Sequence, residues 1–321
     1  MNGGVAVGLR LPWEKTEEQL LCFASVDVLS LPQSGTRPVL GRDNRVQTTH
    51  NTGLETVALP PESKGDGGGY SFLNKLGLDK TKKEFINGIQ ALADKDLKKA
   101  AGFFRYVVSR DDALADAQFA LALCGQTPQE QLQAIDRAWL QQTKFTQLFK
   151  KTGVQLCATF IACDGKQMRI MNDHPGLEII TAEIYQNHGK LEAAQRVLEI
   201  SQHADLDIFR FSRGECLYRL HRYEEAIDLL RRLNDNPGLA APACYLMGLS
   251  LEALGYISTA VQVYRNCLKT ETYSTRLEMA MRIRLVVLLE QEEKQWMAQR
   301  ERERLAALQS AADNEKGTGL N

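Results

Sequence analysis

The sequence predicts an all-α fold, a solenoid of stacked helix pairs carrying one short β-hairpin. Three observations predict it. Helical apolar periodicity runs from Phe72 to about Leu308. Within that span a short series of small and large residues recurs in the same order. Finally, two short β-prone runs flank Asp164-Gly165, a hairpin signal inside an otherwise helical pattern.

The recurring series is explicit in the residues. Gly88 is followed by a turn at Asp94–Asp96 and then by Ala100 and Phe104. The order returns as Ala182, Tyr185, Gly189, Ala194 and Leu198, then as Gly214, Leu217, Ala226 and Leu230. It returns again as Gly248, Leu251, Gly255, Ala260 and Tyr264. Ala194, Ala226 and Ala260 lie 32 and 34 residues apart, the period of tetratricopeptide (TPR) repeats. Two antiparallel helices pack closely only where their crossing point is small. Gly or Ala on the first helix and Ala on the second supply that closeness, and the large residue one turn on fills the groove beside them. Gly189 and Gly255 suit the turn between helices. Asn236-Pro237-Gly238 ends one pair and sets the entry into the next. A single pair cannot hide its apolar face, so neighbours must stack.

The remaining segments follow in order. Residues 1–70 hold scattered Gly and Pro and end in Lys64-Gly65-Asp66-Gly67-Gly68-Gly69, a composition that predicts a mostly disordered arm and linker. A short helix over Glu14–Val28 is the one element expected there, as a docking segment or a passive tail. The glycine cluster has neither the Gly-Lys-Ser/Thr ending nor the preceding strand of a phosphate loop. The repeat domain spans 71–310. Inside it, 127–151 reads as one or two helices, and the hairpin falls near 155–171, between Val154–Ile161 and Lys166–Met171. The hairpin insertion is either filler or a protruding contact. The last helix, from about Glu292 to Leu308, carries Arg300-Glu301-Arg302-Glu303-Arg304 beside Trp296, Met297, Leu305 and Leu308. It reads as a capping helix, apolar inside and solvated outside, or as a coiled-coil partner. Residues 311–321 read as a disordered tail.

Composition limits the function. Apolar residues make up 44 % of the 321 and charged residues 25 %, an ordinary globular balance. The formal net charge is -1, so no sequence-wide field draws the chain to nucleic acid or to an anionic membrane. No apolar run is long enough for a membrane span, and the Leu20–Val26 stretch lacks the basic start of a signal peptide. These features predict a cytoplasmic protein without membrane insertion. The seven cysteines, Cys22, Cys124, Cys157, Cys163, Cys216, Cys244 and Cys267, form no C-x-x-C and read as small buried residues. His50, His174, His188, His203 and His221 belong to no catalytic or metal-binding motif. The sequence therefore predicts no enzyme, no metal and no cofactor.

A helical solenoid offers a groove suited to peptides. In the register set by the anchor alanines, the first helices of the pairs direct Glu183 and Gln186, then Phe211, Glu215 and Tyr218, then Tyr245, Leu249 and Glu252 toward that groove. These are the expected partner-binding residues. The mixture of carboxylates and aromatic rings suits a basic or amide-rich protein segment and offers no Lys/Asn clamp for a terminal carboxylate.

The order of features also resembles the N-terminal domain of the EccA family, the AAA+ ATPases of type VII (ESX) secretion. The resemblance starts at Ala91-Leu-Ala-Asp-Lys-Asp-Leu-Lys-Lys-Ala-Ala-Gly-Phe-Phe104 and continues through Ala115-Asp-Ala117, Leu123-Cys-Gly125 and the hairpin near Phe160–Ile170. It then takes in Tyr185-Gln-Asn-His-Gly189-Lys-Leu-Glu-Ala-Ala194, Tyr245-Leu-Met-Gly248 and Leu254-Gly255. It spans about 85–290 and rests on order more than on any one motif. That family carries a Walker A loop after its repeats, and no such loop occurs in this sequence, so ATP hydrolysis does not carry over. The resemblance implies an adaptor that recognises secreted substrates or components of such a system. A regulatory, substrate-binding subunit for a separate AAA+ ATPase is the alternative, together with a general scaffold or sensor. Oligomeric state is not legible in these residues.

Overall fold

The computed structural model describes residues 25–30, 80–161, 167–270, 273–291 and 294–318. Most of the 1–70 segment and the hairpin tip at 162–166 fall outside the described residues. The chain divides into two compact units, one holding Gln19–Phe160 with Gln167–Ala204 and the other holding Asp205–Asn321.

The first unit contains seven helices among the described residues: α1 (Lys80–Ala93), α2 (Leu97–Arg110), α3 (Ala115–Cys124), α4 (Pro128–Leu140), α5 (Gln147–Thr152), α6 (His174–Asn187) and α7 (Leu191–Ile200). They pair in sequence as α1 with α2, α3 with α4, and α6 with α7. The core between them is aromatic. Phe85 lies 5.7 Å from both Phe104 and Phe149, and Phe119 lies 5.0 Å from Phe145, mostly edge to face. Beside this cluster Asp116 is buried with its carboxylate at the start of α5. It accepts from the backbone N–H groups of Thr146 (2.6 Å), Leu148 (2.5 Å) and Phe149 (3.2 Å), satisfying donors that a helix start leaves unpaired.

The expected hairpin is present as β2 (Gln155–Ile161) and β3 (Gln167–Met171), but it is part of a larger sheet. A third strand, β1 (Ser25–Ser30), pairs antiparallel with β2 in the order β1-β2-β3, in a register that sets Val26 opposite Ala158 and Val28 opposite Leu156. This corrects the expected helix over Glu14–Val28, whose last four residues are strand. Val26-Asp27-Val28 alternates with period two, and its partner lies some 130 residues on, so local periodicity alone misreads it. Asn172 extends the sheet edge with its side chain, accepting from Leu156 N–H at 3.1 Å and donating to the Val154 carbonyl at 3.3 Å.

The second unit contains six helices among the described residues: α8 (Asp207–Arg219), α9 (Tyr223–Leu230), α10 (Ala240–Ala253), α11 (Ile257–Cys267), α12 (Thr275–Gln291) and α13 (Gln295–Thr318). They too pair in sequence as α8 with α9, α10 with α11, and α12 with α13. The last helix continues through Thr318, so the expected disordered tail from Ala311 is helical for most of its length.

The small-residue crossings are where the repeat reading puts them. Ala100, Ala194, Ala226 and Ala260 are fully buried. Added Cβ atoms at Gly88, Gly214 and Gly248 would meet the side chains of Phe104, Leu230 and Tyr264 at 2.6, 2.7 and 2.2 Å. The turns match as well. Lys95, Gly189, His221 and Gly255 each stand seven residues after the small residue and each has positive φ (60°, 71°, 59° and 82°). In every case the next N–H reaches back to close the helix end, as in Asp96 N–H to Ala91 C=O and Lys190 N–H to Tyr185 C=O, both 2.9 Å. Cys124, Cys157, Cys216 and Cys267 are buried and Cys244 partly so, while Cys22 and Cys163 lie outside the residues whose side chains are described. No described helix is long and apolar enough to cross a membrane.

Candidate functional site

The eight side chains expected to line a groove have different fates. Glu183 and Gln186 on α6 are buried, with the Gln186 amide 3.5 Å from the Glu183 carboxylate. Phe211 on α8, and Tyr245 and Leu249 on α10, are buried as well. The reason is legible in α10, which reads Ala-Ala-Pro-Ala-Cys-Tyr-Leu-Met-Gly-Leu-Ser-Leu and is apolar all round, so it presents no face to water. Repeat register identifies the helix but does not distinguish a solvated groove wall from an enclosed one.

Glu252 is drawn into an internal network. Its carboxylate accepts from the Tyr264 hydroxyl on α11 at 2.6 Å and from both nitrogens of the Arg284 fork on α12. The Tyr245 ring lies 5.9 Å from Tyr264 in the same cluster. Burial and the adjacent carboxylate push the Tyr264 phenol well above its ordinary range, and the carboxylate also raises Arg284. This charge is matched within the fold and is not offered outward. Of the remaining side chains, Glu215 and Tyr218 on α8 keep partial exposure, Tyr218 with its ring 5.8 Å from Tyr223.

Within the second unit a different concavity opens between α11 and α13, floored by α12. It encloses about 900 Å³, at the upper end of typical ligand clefts. Leu268, Leu285, Met297 and Leu308 give it apolar wall and floor. Trp296 stands at the rim, 68 % exposed. The Trp296–Met297–Leu308 stripe lines an open cleft, while Ala298 and Glu301 make the buried face of α13.

The charges in this cleft do not balance. Arg282 on the floor lies between Glu278 (2.7 Å) and Glu301 (2.6 Å), and Arg304 also reaches Glu301 at 2.8 Å. Both carboxylates are thereby consumed. Arg265, Lys269 and Arg300 line the same cleft without an ion pair among the described residues; Arg265 instead points at the Met297 sulfur, 3.6 Å away. Sequence reading missed this site because its cations are spread over Arg265 to Arg304 and meet only through helix packing.

One other polar cluster bears on chemistry. Glu178 on α6 accepts from the Ser201 hydroxyl at 2.5 Å and holds the His203 ring at 3.0 Å. A serine nucleophile needs its hydroxyl on the imidazole, whereas both groups here converge on one carboxylate, and Ser201 also accepts from His203 N–H at 2.9 Å. The cluster pins the turn after α7. Among the described residues no three His, Cys, Asp or Glu side chains converge as a metal site.

The family profile described as T7SS, ESX-1 secretion system protein EccA1, N-terminal domain, matches residues 81–316. The crystal structure of the N-terminal domain of EccA1 ATPase from the ESX-1 secretion system of Mycobacterium tuberculosis superposes with a TM-score of 0.57 at 16 % identity. It covers 71 % of this chain and 84 % of that one. The MamA MSR-1 C2 structure gives a TM-score of 0.43 at 14 % identity, over 65 % of this chain and 99 % of that one. A MamA RS-1 double mutant gives 0.39 at 11 %, over 74 % and 99 %. No curated protein sequence matches the chain.

Proposed function

Since the chain belongs to the family of EccA1 N-terminal domains of type VII secretion, we propose that it is a non-catalytic, cytoplasmic protein-binding adaptor that recognises a substrate or a component of such a system. The observation that carries this reading is the family match over 81–316, which falls on a fold of stacked helix pairs. Solenoids of this kind present extended surfaces to other chains. Of the residues expected to touch the partner, Glu215 and Tyr218 have the partial exposure the role requires. The buried members of that set act by holding the helices that carry them.

A second reading has support from the same family, whose solved member is titled an ATPase. In it, the partner is a separate AAA+ ATPase and the chain is its substrate-binding subunit. Site-specific photo-crosslinking in cells tests both. A photoreactive phenylalanine in place of Tyr218 is expected to capture a secretion substrate or an ATPase subunit, identified by mass spectrometry. The same probe at Leu140, which is 77 % exposed in the other unit, serves as the control. Identical capture profiles at the two positions would defeat the proposal.

A further inference from the structure

Resting on the protein-binding reading, we propose that the cleft between α11 and α13 docks an acidic, amphipathic segment of the partner protein. Three observations converge on that occupant. The first is charge. Arg282 and Arg304 together neutralise Glu278 and Glu301, so Arg265, Lys269 and Arg300 remain as surplus positive charge around the cavity. A protein segment rich in Asp and Glu complements them, while a basic segment is repelled.

The second is polarity. Leu268, Leu285, Met297 and Leu308 line the interior, and the indole of Trp296 is mostly in water at the mouth. Trp and Arg are the residue types that dominate protein interfaces energetically. An occupant with one apolar stripe would cover this surface and keep its carboxylates at the rim.

The third is shape. The cleft-lining residues of α13 run from Trp296 through Met297, Arg300, Arg304 and Ala307 to Leu308, which is one helical face. At 1.5 Å per residue that face is about 18 Å long, room for about three turns of a partner helix laid along it. The whole chain carries a net charge of -1 and the cleft offers one aromatic ring, whereas single-stranded nucleic acid is held by runs of stacked rings in basic channels.

Fluorescence anisotropy on the full chain provides the test. The probe is a fluorescein-labelled helical peptide of about 16 residues, with Leu at i, i+3, i+4 and i+7 and Glu on the flanking positions. A second peptide replaces each Glu with Lys. The acidic peptide is expected to bind at least about tenfold more tightly, with affinity falling as salt rises from about 50 to about 300 mM. Lys269→Glu with Arg300→Glu, both exposed positions, is expected to cost at least about tenfold and to reverse the preference. Trp296→Ala should weaken the acidic peptide without changing its salt dependence. Equal binding of the two peptides, tighter binding of an oligo(dT) strand, or indifference to the double reversal would overturn the proposal. If the Tyr218 probe captures a secretion component equally well in the double-reversal chain, the cleft assignment falls and the adaptor reading stands. Cleft-dependent binding without any such capture would separate them the other way.

Discussion

The Tyr264 ring lies directly over Gly248, sixteen residues earlier on the preceding helix, so closely that a Cβ at 248 would stand 2.2 Å from its Cε1 and 2.4 Å from its Cζ. The ring has nowhere to go, because it is fully buried and its hydroxyl is tied to Glu252. Gly248→Ala is therefore expected to destabilise the protein by about 3 kcal/mol through overpacking, read as a lowered urea midpoint. Gly88→Ala, against Phe104 at 2.6 Å, should cost nearly as much. Gly214→Ala should cost less, since the atoms it meets, Leu230 Cδ2 and Cγ at 2.7 Å, belong to a smaller aliphatic side chain and not to an aromatic ring. Gly102 has nothing within 4 Å of an added Cβ, and Gly102→Ala should stabilise by up to about 1 kcal/mol through helix propensity. Equal effects at all four positions would contradict the crossing geometry.

The turn seven residues after each small residue makes an independent prediction. Gly189 and Gly255 take positive φ freely, but Lys95 does so at 60° with a side chain attached. Lys95→Gly should raise stability by up to about 1 kcal/mol in thermal unfolding, the relief of left-handed strain exceeding the added chain entropy. Gly255→Ala should lower it by about 1 kcal/mol. A loss of stability in Lys95→Gly would mean that the turn is held by its side chain and not by its backbone.

The contrast between these turns and the missed strand shows what sequence can carry. Gly88 to Phe104 and Gly248 to Tyr264 are contacts at fixed, short spacing, so the residues that meet are also the residues that recur. β1 has no such local signature: Val26 and Val28 pair with Ala158 and Leu156 some 130 residues on, a contact that no local sequence window contains. The basic cleft was illegible for the same reason. Arg265 and Arg300 sit on separate helices and Lys269 in the turn after α11, and the surplus charge appears only once Arg282 and Arg304 are seen to take Glu278 and Glu301. At the expected groove, register named α6, α8 and α10 as first helices of their pairs, but enclosure among packed helices leaves Gln186, Phe211 and Tyr245 buried.

Glu252 illustrates the energetic consequence of that enclosure. Its carboxylate joins α10, α11 and α12 by receiving Tyr264 and Arg284 together. Glu252→Ala leaves a partly buried guanidinium and a buried hydroxyl without their acceptor, at an expected cost of about 2 kcal/mol. Tyr264→Phe removes one bond and should cost about 1 kcal/mol. If Glu252 instead served a partner's basic residue, its replacement would weaken binding while leaving the urea midpoint unchanged.

Asp116 supplies the pH-dependent prediction. Burial pushes its carboxyl up to about 6, chiefly by desolvation and against the three amide donors at the start of α5. A carboxyl whose folded value exceeds its unfolded value of about 3.9 holds its proton more tightly in the native state. Its contribution is fully present below pH about 4 and is lost as pH rises through about 6. Asp116→Asn carries no proton to lose, so the stability of the parent relative to this variant should fall from pH 4 to pH 7 by on the order of 2 kcal/mol. Asp173 is shifted in the same direction by burial, but it is common to both proteins and cancels in the comparison. Urea unfolding across that range decides the matter: a parent–variant difference that stays flat with pH would mean that the amide donors, and not desolvation, control the Asp116 charge.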